Sequence, residues 1–419
     1  MAQKKNVVSI QNSAQPLDLS IIFLLLKEMP DSFSKTSFLS LILVVFSSSS
    51  LVLCSAWNAE WIEFHPSQSI HPPRSGHVAF SLNDEVYVFG GYAEEIENEK
   101  IIRYATNDLW KLNPKGPTWE NVNTKELHVD DCDECNDNAK IPQQRLAAAV
   151  GCIDSSAYVF GGWDPQTPGT GGVILDGISE YNPSSDGWNG SVLKQVNLGE
   201  TTSRHVAINI GKDTILLHNH RCTDSVLLFR KDDQAYSLQS QATTGTPPSP
   251  RGLHAACKLL GDNSNQVLVF GGAAQDGTMS NQVFVLDTTT WSWKELSSAT
   301  PISKMPAPRA SPCVCSIDEQ TCIVFGGASP SKSGGLHGWD DLWIMKTDLE
   351  AGTVEWEELM VDNAVSPQGR NAATLTAISK PSSIGDDDGS SSQYFILTGG
   401  WYPFVKTHGD NFILKVTAT

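Results

Sequence analysis

The chain has 419 residues and a formal net charge of -18, with an isoelectric point of about 4.9. An acid surface of that size repels nucleic acid and anionic lipid, which removes both from the partners considered. A hydrophobic content of 40%, with 33 glycines, 22 prolines and 12 tryptophans, suits a sizeable core of short strands and turns rather than long helices.

Residues 1–56 read differently from the rest. A nine-residue apolar centre at 38–46 follows Lys35, and Cys54-Ser55-Ala56 places small residues before Trp57. A basic flank, a short apolar centre and small residues describe a secretory signal peptide, with Met29 as the start that would bring it to the N-terminus. A disordered extension or a signal anchor is the alternative, and the run is short for a spanning helix. The expectation is a secreted or lumenal chain of 57–419, with no membrane insertion of the mature protein, and a cytoplasmic one if the segment is not a signal. Eight of the nine cysteines lie beyond Cys54, an even number that a disulfide-permitting compartment favours. Cys315 and Cys322 flank a turn and are candidates to face each other across a hairpin. Cys132 and Cys135 form a C-x-x-C in an acid loop, read as a local disulfide or two free thiols. A sequon occurs at Asn189-Gly190-Ser191.

From Trp57 onward one unit recurs every roughly 50 residues, the mark of a repeat architecture. Each unit opens on a turn carrying an arginine: Pro73-Arg74-Ser75-Gly76-His77, Gln144-Arg145-Leu146, Ser203-Arg204-His205, Pro250-Arg251-Gly252-Leu253-His254, Pro308-Arg309-Ala310 and Gly369-Arg370-Asn371. Six of the nine arginines stand at this one position, so the position has a job. An apolar run follows and ends in paired glycines: Gly90-Gly91, Gly161-Gly162, Gly271-Gly272, Gly326-Gly327 and Gly399-Gly400. Such runs read as strands buried on both faces, and paired glycines allow a sharp turn and close approach of a neighbouring backbone. The third unit departs from this, running from Ile215-Leu216-Leu217 into His218-Asn219-His220. A third strand comes next, then a fourth with an aromatic residue: Trp119, Trp188, Tyr236, Trp293 or Trp356. The sixth unit ends before a fourth strand, and residues 59–64, with Trp61, stand ahead of the first unit as the piece that completes it.

The glycine pair after an apolar strand, with a downstream aromatic and tryptophan, resembles the kelch family of β-propellers over about residues 57–419. The resemblance implies an all-β, six-bladed kelch-type β-propeller: four-stranded blades around a channel, the ring closed by the N-terminal strand completing the last blade. One blade cannot bury both of its faces, so neighbours must stack and the ends must be tied. Residues 379–392 then form a solvated loop of the sixth blade.

In an up-and-down blade the start of the first strand and the turn after the second lie at the same end. Arg74, Arg145, Arg204, Arg251, Arg309 and Arg370 are therefore expected at one mouth of the channel, beside Tyr92, Trp163, Trp339 and Trp401. Guanidinium groups bind carboxylates bidentately, and aromatic faces stack on sugars or peptide side chains. The expected protein is a monomeric interaction scaffold for an acidic peptide, a protein or a glycan. In similar kelch proteins, arginines of the Pro-Arg-Ser-Gly type bind acidic peptide segments, and Arg74 matches that pattern best. The structural alternative has each arginine bridging carboxylates or carbonyls of the neighbouring blade. His218 and His220, two apart, would share a strand face with Cys222, with His205 on the adjacent strand, a set able to hold zinc or copper. The duller reading is polar filling of a blade that lost its glycines. The functional alternative is a mutarotase-like or metal-dependent enzyme acting on a carbohydrate or small molecule. The ligand patterns of copper and iron kelch-type enzymes cannot be placed here, no cofactor is expected, and P-loop, G-x-S-x-G and H-E-x-x-H motifs are absent.

Overall fold

A computed structural model describes residues 57–419 apart from 66–70, 117, 123–140, 167–170, 186, 190–195, 233–234, 262–264, 362–364, 383 and 386–390. The signal-peptide segment, the Cys132/Cys135 pair with its acid loop, two residues of the sequon, and the acidic tip of the 379–392 loop lie outside the described residues.

Apolar runs bounded by turns give short antiparallel strands, and among the described residues these assemble into six four-stranded units, the fourth and fifth of them joined into one larger sheet where Ser297 and Ser298 pair parallel with Thr353 and Val354. The first holds Val78–Leu82, Glu85–Phe89, Leu109–Asn113 and Thr118–Asn121. The second holds Ala149–Ile153, Ser156–Phe160, Ile178–Asn182 and Gly187–Asn189. The third holds Val206–Asn209, Thr214–His218, Ser225–Asp232 and Ala235–Ala242. The fourth is Ala255–Lys258, Gln266–Phe270, Val283–Asp287 and Ser292–Ser298, and the fifth is Cys313–Ser316, Thr321–Phe325, Leu342–Asp348 and Thr353–Glu358. In the sixth, Thr374–Ile378, Ser392–Thr398 and Asn411–Ala418 are joined by Trp57–Phe64, which pairs antiparallel with the C-terminal strand from Trp57↔Ala418 to Phe64↔Asn411. The innermost strands touch one another in a closed cycle, the sixth against the first. The expected closure by the N-terminal strand is therefore present, and the sheets are the blades of a propeller. No helix among the described residues is long and apolar enough to cross a membrane.

Apolar clusters fill the seams between successive blades. Their recurring contact sets the phenylalanine ending one blade's second strand against the tryptophan of the next blade's fourth strand. Phe89 meets Trp188 at 4.7 Å, Phe270 meets Trp356 at 5.1 Å, and Phe325 meets Trp61 at 5.0 Å between ring centroids. In the third blade His218 takes the phenylalanine position and meets Trp293 at 5.4 Å.

The glycine pairs earn their place at the same seams. Gly90 has φ +67°, and the N–H of Gly91 donates to the Arg145 carbonyl of the next blade at 2.8 Å. A Cβ on Gly90 would stand 2.7 Å from that carbonyl oxygen. Gly90→Ala is expected to lower unfolding stability by about 1–3 kcal/mol in chemical denaturation, through strain at positive φ and the backbone clash together. An unchanged midpoint would contradict this close approach.

The cysteines correct one expectation. All six among the described residues are free thiols. Cys322 lies opposite Ser316 while Cys315 lies opposite Ile323, so the two cysteines point to opposite faces of the fifth blade. Cys315 Sγ faces the Leu375 carbonyl of the sixth blade at 3.2 Å, and Cys322 faces the fourth blade.

Candidate functional site

Five of the six arginines reach the mouth end of the blades but are not on its surface. Arg74 and Arg309 are fully buried, and Arg370, Arg251 and Arg145 nearly so. Each points its guanidinium into its own blade, where one N–H donates to the carbonyl of the first paired glycine. Those bonds are 2.9 Å from Arg74 to Gly90, 2.9 Å from Arg145 to Gly161, 3.2 Å from Arg251 to Gly271, 2.9 Å from Arg309 to Gly326 and 2.9 Å from Arg370 to Gly399. In three blades an aspartate just before the third strand completes a bidentate pair: Arg74 with Asp108 at 2.7 and 2.8 Å, Arg309 with Asp341 at 2.7 and 2.8 Å, and Arg370 with Asp410 at 2.6 and 3.2 Å. Burial pushes the Asp108 carboxyl up, but the hydrogen bonds and charge of Arg74 outweigh it and hold the group below the usual carboxylate range. In the fourth blade Gln282 stands in for the aspartate, accepting from Arg251 at 3.1 Å. These five arginines tie the first-strand entrance to the second–third strand turn, and they are not free to receive a ligand. The side-chain partner is also within the arginine's own blade; it is the arginine's backbone that reaches across the seam.

The sixth arginine is different. The N–H of Gly162 donates to the Thr202 carbonyl at 2.8 Å, the bond that Gly91, Gly272, Gly327 and Gly400 make to Arg145, Arg309, Arg370 and Arg74. Thr202 therefore holds the arginine position of the third blade, and Arg204 lies two residues on. That second position runs around the axis as Gly76, Ala147, Arg204, Leu253, Ser311 and Ala372, all at φ between +51° and +64°. Each of their N–H groups donates to the carbonyl of its counterpart in the preceding blade, at 2.7 to 3.2 Å, making a closed ring of six bonds. Arg204 is exposed, and among the described residues its side chain has no hydrogen-bond or ion-pair partner.

The departure of the third unit from the repeat opens a cavity beside Arg204. Register places Asn219 and His220 where other blades have their glycines, since Val206 pairs with His218 as Val78 pairs with Phe89. Side chains there block the close approach. The two backbone bonds that join neighbouring blades, glycine N–H to arginine-position carbonyl and its reciprocal (Arg309 N–H to Ser280 O at 3.0 Å, for instance), have no counterpart between the third and fourth blades among the described residues. The turn is also short: Asn219 to Asp224 replaces the hairpins that other blades carry, such as Tyr92–Glu97 with Lys100–Ala105. The result is a notch of about 340 Å³ between blades three and four, lined by Arg204, His220, Arg221, Arg251 and, on its apolar sides, Ile174 and Leu253. Arg221 stands where Trp163 and Trp401 stand in their blades. Its Nε lies 2.7 Å from a Glu200 carboxylate oxygen, and an Nη donates to the Thr201 carbonyl at 3.2 Å. Burial and then the Arg221 charge lower the His220 pKa. Arg221 was not among the sequence candidates. Its signal was the missing glycine pair that precedes it.

The aromatic candidates are half-buried and scattered over the other blades. Trp163 Nε1 donates to the Gly171 carbonyl at 3.1 Å, Trp339 donates to Ser329 Oγ at 2.8 Å with the Arg309 guanidinium 5.2 Å from its ring, and Trp401 packs on Phe404 at 5.2 Å. Tyr92 pairs with Ser75 beside Arg74. None of them lines the notch.

The metal set does not assemble. Among the described residues no three His, Cys, Asp or Glu side chains are placed to hold a metal ion. The strand ends at His218, so the alternation that would align His218, His220 and Cys222 stops there. His218 Nδ1 is 3.0 Å from His254 Nε2 in the seam, His220 lines the notch, and Cys222 Sγ turns back on Asn219. His205 is buried beside the channel with His77 and His254, each three residues after its blade's arginine position. A larger cleft of about 740 Å³ lies between the fourth and fifth blades, but Glu319, Asp348, Glu350 and Glu355 line it, which opposes anionic ligands.

Ring closure, the glycine-pair seams and the buried arginine of five blades define a kelch-type propeller. The comparisons agree: residues 215–389 match the model described as "KLHDC2/KLHL20/DRC7 Kelch-repeats domain", and residues 73–126 match the Kelch motif. The chain belongs to the kelch-repeat family. It is 25% identical to Kelch domain-containing protein 2 of Bos taurus over 64% of this chain and 66% of that protein. It is 27% identical to Acyl-CoA-binding domain-containing protein 5 of Arabidopsis thaliana over 64% of this chain and 38% of that protein, and 23% identical to Kelch domain-containing protein 1 of Mus musculus over 64% and 66%. The chain thus spans less than two thirds of the length of these relatives. Kelch-repeat domains generally act as protein-interaction modules.

Proposed function

We propose that this propeller is a protein-interaction module whose notch between blades three and four holds a carboxylate of an acidic peptide segment. The observation that carries the reading is Arg204: an exposed, unpartnered guanidinium on a chain of net charge -18, beside a second arginine that already grips a carboxylate of its own chain. Guanidinium matches carboxylate geometry in two parallel bonds, and Ile174 and Leu253 offer apolar contact to flanking side chains. Glu200 then acts as a tethered competitor for Arg221. A glycan is the weaker reading, because the candidate stacking rings stand outside the notch.

The test is binding to an immobilised array of Asp- and Glu-rich peptides, followed by titration of the best peptide. Arg204→Ala and Arg221→Ala are each expected to weaken binding about tenfold or more, equivalent to about 1.4 kcal/mol, with the melting temperature unchanged. Glu200→Gln is expected to strengthen it. Wild-type affinity in both arginine variants would remove the notch as the site.

A further inference from the structure

The seam on the other side of the fourth blade carries a pair of thiols that peptide docking does not use. Cys257 lies on Ala255–Lys258 of the fourth blade and Cys322 on Thr321–Phe325 of the fifth, and their Sγ atoms are 3.5 Å apart. Ser316 holds the arrangement from the side, donating its hydroxyl to the Lys258 carbonyl at 2.6 Å while lying 3.7 Å from Cys322 Sγ. The two sulfurs face each other across the blade boundary, and a bond between them would link positions 65 residues apart. Closing to a disulfide of about 2.05 Å needs a movement of roughly 1.5 Å, within reach of side-chain rotation and a small shift of the seam.

The pair is chemically asymmetric. Cys322 is fully buried, and burial pushes its thiol well above the ordinary range. Cys257 keeps partial exposure, and its hydrogen bond with Cys322 lowers its pKa. A small disulfide reaches the more exposed sulfur first, so Cys257 is the nucleophile and the buried Cys322 the resolving thiol. Cys313 and Cys315 do not compete, since their sulfurs face the Ala373 and Leu375 carbonyls of the sixth blade at 3.4 and 3.2 Å.

We propose that Cys257 and Cys322 form an inter-blade redox pair that a low-molecular-weight disulfide converts to a protein disulfide. The Cys257 thiolate attacks one sulfur of the small disulfide, giving a mixed disulfide and releasing one small thiolate. Cys322 gives up its proton and attacks the Cys257 sulfur, expelling the second small thiolate. Two electrons pass from the protein dithiol to the small disulfide, which leaves as two thiols. The bond fastens the fourth blade to the fifth, on the far side from the seam with the third blade, where the two backbone bonds at the glycine position have no counterpart among the described residues.

The test treats the folded full-length chain with oxidised glutathione, blocks remaining thiols with N-ethylmaleimide, digests without reduction and maps cross-links by mass spectrometry. The expected result is a Cys257–Cys322 linked peptide that dithiothreitol removes, that Cys257→Ser lacks, and that accompanies a higher melting temperature. Recovery of both cysteines carrying maleimide or glutathione, or formation of the link only after unfolding in guanidinium, would overturn the proposal. Because the mapping is made on the wild-type chain, a misfolded Cys257→Ser leaves the result decisive, and Cys322→Ser then serves as the second control.

Discussion

Arg309→Ala is expected to cost the propeller about 3–5 kcal/mol, the range for removing one partner of a buried ion pair. Arg309 has no exposed surface. Its guanidinium donates to the Ala307 carbonyl at 3.0 Å, the Gly326 carbonyl at 2.9 Å and both Asp341 oxygens. Alanine would leave Asp341, only 10% exposed, with the Trp343 indole N–H at 2.7 Å as its remaining side-chain donor. It would also orphan the glycine carbonyl at the turn. Most of the loss is the penalty of an uncompensated buried carboxylate rather than the net worth of the pair. Arg309→Lys should recover only part of it, because an ammonium cannot span carbonyl and carboxylate with fixed parallel bonds. Urea denaturation of both variants checks this. A wild-type midpoint for Arg309→Ala would mean that the guanidinium is held for a ligand instead of for the fold.

The second large effect is acid destabilisation beginning well above the carboxylate range. Burial, with help from Arg74, holds His71 down to about 4, and burial with Arg251 holds His218 down to about 4. His205 is lowered to about 3 by burial and the neighbouring His220, while His77 and His254 fall well below the ordinary value, burial first, with Arg74 and His218 the next causes. In the unfolded chain each imidazole takes up a proton near pH 6.5. Between that value and about pH 4 the unfolded state binds more protons, so stability is complete above the window and falls as pH drops through it. The loss is roughly 1–3 kcal/mol per histidine by the bottom of the window. The Arg74 and Arg370 partners Asp108 and Asp410 have depressed pKa values, so their contribution is lost only at still lower pH. Thermal melts from about pH 7.5 to pH 5 check the histidine window, and a flat profile would refute it.

The fold was legible because its demands repeat. Every blade must turn sharply after its second strand and meet the next backbone, so glycine pairs and an arginine recur at fixed places. The same regularity misdirected the reading of the arginines. A cation required in nearly every blade answers a need of every blade, here the glycine carbonyl and the turn, and Asp108, Asp341 and Asp410 supply its counter-charge from just before the third strand. Position in the repeat could be read from sequence; burial could not. Arg204 was aligned two residues out because Ser203-Arg204-His205 imitates the opening motif, while Thr202 carries the backbone bond. The site is found where the pattern breaks, at Asn219 and His220, since a side chain in place of a glycine opens space that the other seams close. Cys315 and Cys322 were misread for a related reason: the hairpin shifts them by one residue, which sends them to opposite faces.

The six-membered circuit of amides around the axis has a consequence for how such a molecule can change. Every donor in it answers an acceptor one sector away, in a single rotational sense, so the circle holds no loose end. Deleting or duplicating one sector would strand a donor and an acceptor until the whole circumference found a new radius. Growth by single-unit steps is therefore disfavoured at the hub, and variation is left to the outer turns, where the third sector has already shed its hairpin.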